Sequence, residues 1–132
     1  MNIAIKGMLL CVLWTFALVA SLADAAIADY GFELLQPEFR EGDDVIIAVR
    51  LVNKRTGQAV PDAVIFAIRI DMAPDGMPTM DAPLEPMPSP EPGVYRFATA
   101  LMMAGGWELS LAAKVQSEEG TVVARLLVKA VP

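Results

Sequence analysis

From Tyr30 onward, apolar residues recur at every second position, and this period of two limits the fold more than any other feature of the chain. Successive side chains of a strand point to opposite faces, so the alternation places one face in a core and the other in water. Tyr30, Phe32 and Leu34 alternate with Gly31 and Glu33. Val45, Ile47, Val49 and Leu51 share a face, with Arg50 on the other. Val64, Phe66, Ile68 and Ile70 are expected to share a face, opposite Ala63, Ala67 and Arg69. The same rhythm runs through Tyr95, Phe97 and Thr99, then Trp107, Leu109, Leu111 and Ala113, then Val122, Ala124, Leu126 and Val128. β-Branched and aromatic residues, which suit a pleated half-buried surface, are frequent in these runs.

Turn chemistry separates the runs. Glu41-Gly42-Asp43-Asp44, Lys54-Arg55-Thr56-Gly57, Pro61-Asp62, Pro92-Gly93, Gly105-Gly106 and Ser117-Glu118-Glu119-Gly120 each stand between two of them or open one. Glycine supplies positive φ and proline cannot donate to a ladder, so both belong between strands. No helical period is visible. Regular strands and turns over residues 29–132 predict an Ig-like antiparallel β-sandwich of about six to seven strands.

The residues before this domain read as an export signal. Lys6 gives a positive start, residues 8–22 are an uncharged apolar run, and small residues follow at Ala23 to Ala28. Residues 1–25 are therefore expected to be a cleaved signal peptide, with cleavage after Ala25 or Ala28. An uncleaved membrane anchor is the less favoured alternative, because the run is short for a spanning helix. The expected location is periplasmic or secreted.

Composition excludes several chemistries. The chain has no His and one Cys, Cys11, which lies in the leader. A mature domain without thiol or imidazole lacks the usual nucleophiles and bases. The carboxylates Asp71, Asp75, Asp81 and Glu85 are clustered, but on a segment expected to be a poor platform for paired acid–base work. The expectation is that the chain is not an enzyme and takes no small-molecule substrate. A net charge of −6 without a basic patch argues against nucleic acid.

Residues 71–92 break the rhythm, with seven Pro and four Met among them. Repeated proline disfavours helix and sheet, so a long Pro/Met-rich loop is expected here. A thioether is a soft, neutral ligand that selects Cu(I). Met77 and Met80 lie close enough in a loop to converge on one ion, and Met103, next to Met102, offers a third thioether if the loop folds over that strand end. The competing reading has these side chains plugging an irregular apolar surface, which suits Met72, Met102 and Met103 at strand borders. A second functional reading makes the segment a recognition element for a protein partner, with no metal.

Three pieces in order carry a family resemblance: Met77-Pro78-Thr79-Met80, Pro92-Gly93-Val94-Tyr95, and Met103-Ala104-Gly105-Gly106-Trp107-Glu108-Leu109. Together they resemble the FixH/YtkA-like family of exported or membrane-anchored domains. The resemblance implies an Ig-like sandwich and an association with copper handling, copper-oxidase assembly or metal efflux in an envelope or membrane complex. Family members with fuller metal-site patterns carry His beside the Met residues, and this chain has none. Trp107 opens a strand on its apolar face and is expected in the core.

Overall fold

The computed structural model describes residues 27–132. The expected signal peptide, residues 1–25 with Cys11, lies outside the described residues.

After a 3-10 turn at Ile27–Asp29, the strands are β1 (Tyr30–Leu34), β2 (Glu38–Arg40), β3 (Gly42–Asn53), β4 (Gln58–Ala59), β5 (Val64–Met72), β6 (Met77–Ala82), β7 (Leu84–Met87), β8 (Val94–Leu101), β9 (Gly105–Lys114) and β10 (Val122–Val131). They form two five-stranded sheets. The first runs β1-β3-β8-β7 with β4 beside β3, and the second runs β2-β10-β9-β5-β6. The expected all-β, Ig-like sandwich is therefore present.

Alternation produces the core directly in the long strands. Ile47, Val49 and Leu51 of β3 face Phe97 and Leu101 of β8, Ile70 of β5, Leu109 and Leu111 of β9 and Val128 of β10 in one buried cluster. Trp107 is buried in it, and its indole N–H donates to the Met103 carbonyl at 3.0 Å. A buried indole that kept no partner would lose stability, so this bond stabilises the entry to β9. Tyr95 has its ring edge-on to Phe32 and its hydroxyl on the backbone: it accepts from the Ala63 N–H at 3.0 Å and donates to the Val60 carbonyl at 2.9 Å. That pair of bonds ties the β4–β5 connection to the first sheet.

Four expectations need correction. The described residues contain ten strands, not six or seven. The pairing is not purely antiparallel, because β2 runs parallel to β10. The face assigned to β5 is also different. A bulge between Ile65 and Ala67 inserts one residue, so Ile65, Ile68 and Ile70 face inward while Val64 and Phe66 stand 59% and 58% exposed. One extra residue reverses the parity of everything before it.

The fourth concerns residues 71–92, which are not one long loop. They hold the end of β5, a 3-10 turn at Ala73–Asp75, β6 and β7. Pro78 and Pro86 are inside strands, but β6 and β7 are the outer strands of their sheets. An edge strand leaves one row of N–H groups unpaired, so proline there loses no ladder bond. Pro83 separates the two strands where the chain crosses from one sheet to the other.

Candidate functional site

Two regions, at opposite ends of β5 and β8, gather the residues with chemical potential. The first is a corner built on the 3-10 turn Ala73–Asp75. Gly76, at φ 75°, ends the turn in the left-handed region and its N–H returns to the Ala73 carbonyl at 2.9 Å. The chain thereby reverses, and Met77 becomes the register partner of Met72. The Asp71 carboxylate anchors the start of the turn: it accepts from the Ala73 N–H at 2.9 Å and from Arg69 Nε at 2.8 Å. Arg69 also donates to the Pro78 carbonyl at 2.7 Å, which ties β5 to β6. Burial pushes the Asp71 carboxyl up, but the Ala73 N–H and the Arg69 guanidinium, with Arg125 beyond, outweigh it and hold the group below the usual carboxylate range.

The β8–β9 turn lies over this corner. The Gly106 N–H donates to Asp75 Oδ2 at 3.1 Å. A Cβ on Gly105 would collide with Asp75 Oδ2 and stand 2.9 Å from Met72 Cε, and one on Gly106 would stand 3.1 Å from Pro74 Cβ. Gly105 is at φ 141°, where side chains are rarely accommodated. Gly105 is thus required by close approach and by conformation, whereas Gly106 is only closely approached.

The thioethers are distributed unevenly around the corner. Met72 is fully buried, with its methyl end beneath Gly105. Met77 is half-buried and packs on the core. Met103 is 39% exposed in the turn two residues before Gly105. Met80 is 42% exposed, further along β6. At ~3.3 Å per strand residue, its Cα is about 10 Å from that of Met77. The corner therefore gathers Met72 and Met77 and places the Met103 turn above them, while the strand carries Met80 away. At a strand border, Met72 favours packing over ligation in the sequence. Asp75-Gly76 between apolar residues was the available signal, because such a dipeptide marks a chain reversal that would bring Met72 beside Met77.

The second region is an open cleft of about 730 Å³ at the other end of the sandwich. Ile65 of β5 forms one side, Pro86, Pro90 and Pro92 the opposite wall, and Tyr95 and Phe97 of β8 the floor. Asp62, Glu91 and Arg96 supply its charges. Arg96 approaches Glu91 at 3.8 Å, and its Nε is buried without a hydrogen-bond partner among the described residues. The remaining carboxylates of the Pro/Met segment do not form an acid–base pair around a cavity. Asp71 and Asp75 are occupied by backbone bonds, and Asp81 lies 3.5 Å from Arg69.

Among known proteins, a solved filamin domain of Lin-41 is 14% identical, covers 81% of this chain and 94% of its own, and superposes with a TM-score of 0.49. No curated protein matches the chain. The family model described as YtkA-like matches residues 24–112, from ahead of the first strand to late β9, and takes in both the thioether corner and the cleft. The chain belongs to the YtkA-like family.

Proposed function

We propose that this YtkA-like domain is an exported, non-enzymatic accessory in copper handling that holds Cu(I) at the thioether corner and exchanges it with an envelope or membrane complex. The observation that carries the reading is the pairing of Met72 with Met77 directly beneath the turn that bears Met103. The donor set fits the ion: thioethers are soft, neutral and need no deprotonation, and they favour Cu(I) over Zn(II) or Cu(II). Among the described residues no three His, Cys, Asp or Glu side chains group as a site for a harder ion. Met77 and Met103 would be the outer ligands and Met72 the inner one. Bound Cu(I) supplies a cargo, not a reaction. The protein's part is to present thioethers on a turn held by the Asp75–Gly106 bond and to keep water from the inner one.

The reading also suits a corner held by hydrogen bonds whose outer ligands, Met77 and Met103, are only partly covered. A site that passes a soft ion to a partner needs a fixed frame and an open approach. Met77 and Met103 are on the open side, and the frame is made of bonds from backbone N–H groups to the Asp71 and Asp75 carboxylates, which no metal is needed to form.

Anaerobic competition of the protein against a chromophoric Cu(I) chelator tests this, in a Cys11→Ser background so that the lone thiol does not compete. One ion per chain is expected. Met77→Leu combined with Met103→Leu should weaken binding by roughly tenfold or more, about 1.4 kcal/mol, and Met80→Leu should leave it unchanged. Undiminished affinity in the folded double variant would overturn the proposal.

A further inference from the structure

We infer that the proline-walled cleft is a docking groove for an extended peptide that adds to the free edge of β5, filling the groove with apolar side chains and meeting Asp62 with a Lys or Arg. Nothing in this depends on the thioether corner, which lies at the other end of β5.

β5 has strand neighbours on both sides only at its end. β6 pairs with Ile70, Asp71 and Met72, whereas β9 pairs along β5 from Val64 to Asp71. Among the described residues, 64–69 therefore have a strand on one side alone. Such an edge presents backbone donors and acceptors that an extended chain can complete. On the other side of the opening, β7 is the last strand of its sheet. Pro86 of β7, and Pro90 and Pro92 in the chain that continues from it, border the cleft. These prolines have no N–H, so they shape a wall without offering β5 the donors it lacks.

The size and lining suit side chains, not a single small polar molecule. About 730 Å³ lies within the range of ligand grooves, roughly 300–1,000 Å³. Ile65, the prolines and Phe97 make most of the surface apolar. The charges then select among extended peptides. The buried Nε of Arg96 needs an acceptor, and a buried donor left alone is costly. That acceptor is best neutral, because Glu91 already stands 3.8 Å from the guanidinium and Asp62 adds a second carboxylate to the rim. A peptide carbonyl meets this need where a carboxylate would be repelled. Asp62 is exposed, is held at φ 61°, and has no ion pair among the described residues. It is the natural counter-charge for a cationic side chain on the ligand.

The test is a selection of random-sequence peptides displayed on phage against the immobilised full chain, followed by fluorescence polarisation with the enriched peptides synthesised singly. Enriched sequences should alternate apolar residues and carry Lys or Arg at one flank. Asp62→Asn, which tolerates the left-handed backbone, should weaken them about threefold, the range of an exposed ion pair. Ile65→Glu should weaken them by roughly tenfold or more. Hydrogen exchange should slow over residues 64–69 when peptide is bound, in wild type and in Asp62→Asn alike. Met77→Leu/Met103→Leu should bind peptide as wild type does. Failure to enrich any sequence, enrichment without a basic residue, or binding without protection of residues 64–69 would each overturn the inference.

Discussion

The two ends of β5 are almost equally apolar in sequence, yet they behave as different materials. Ile70 and Asp71 are flanked by β9 and β6, Met72 by β6, and all three are buried, the aspartate included. Val64 and Phe66, at the other end, have a strand on one side and stand more than half exposed. Apolar content alone does not decide burial. A strand position becomes core when its side chain points toward the second sheet, and the bulge at Ile65–Ala67 points Val64 and Phe66 away from it. The finished end carries a rigid corner with thioethers, and the unfinished end opens on a cleft.

The sharpest way to break the finished end is Gly105→Val. The side chain would strike Asp75 and Met72 while its backbone sat at φ 141°. Overpacking and strain each cost about 1–3 kcal/mol, so a loss of roughly 3 kcal/mol or more is expected in urea unfolding. The next effect is a contrast between the ends. Met72→Ala removes a fully buried side chain and should destabilise by roughly 2–5 kcal/mol. Phe66→Ser, a larger change in hydropathy, should stay within about 0.5 kcal/mol, because its ring is already in water. Equal losses at the two sites would mean that the bulge does not turn Phe66 outward.

The smallest effect is on pH dependence. The Asp71 carboxyl is held below its usual range in the folded protein. Its ionised form therefore contributes stability that is complete above about pH 5 and is lost as pH falls below about 4, through the lowered folded value. Thermal unfolding between pH 6 and pH 3 should decline less steeply in Asp71→Asn than in wild type. An unchanged slope would separate the Arg69–Asp71 pair from the rigidity of the corner.

How much of this was legible in the sequence varies by region. β3, β8, β9 and β10 are long and keep strict alternation, and their buried faces match the pattern read from Ile47, Phe97, Leu109 and Val128. Trp107 was legible for the same reason. β5 was not, since a bulge leaves no residue signature: Phe66 looks like any inward aromatic until its pairing with β9 is known. The Pro/Met segment misled in another way. Proline in a strand is forbidden or harmless according to which edge its nitrogen faces, and only the sheet order shows that β6 and β7 are outermost. Met77 and Met80 look like neighbours in a loop, but β6 is a strand and sets them about 10 Å apart. Met72 reads as a packing residue in the sequence, and its place beside Met77 and beneath Gly105, more than thirty positions later, is set by tertiary contacts alone.

Two-residue periodicity and turn residues determined, by themselves, an all-β chain with a Pro/Met-rich segment set apart from the regular strands. These are local properties, and each follows from the conformations and chemistry of a few adjacent residues. The tertiary structure alone decided which edges are filled, where β5 bulges, and which thioethers share a corner. Those outcomes depend on pairings between residues far apart in the chain, such as Met72 beneath Gly105 and Tyr95 on Val60, and no short-range pattern encodes them.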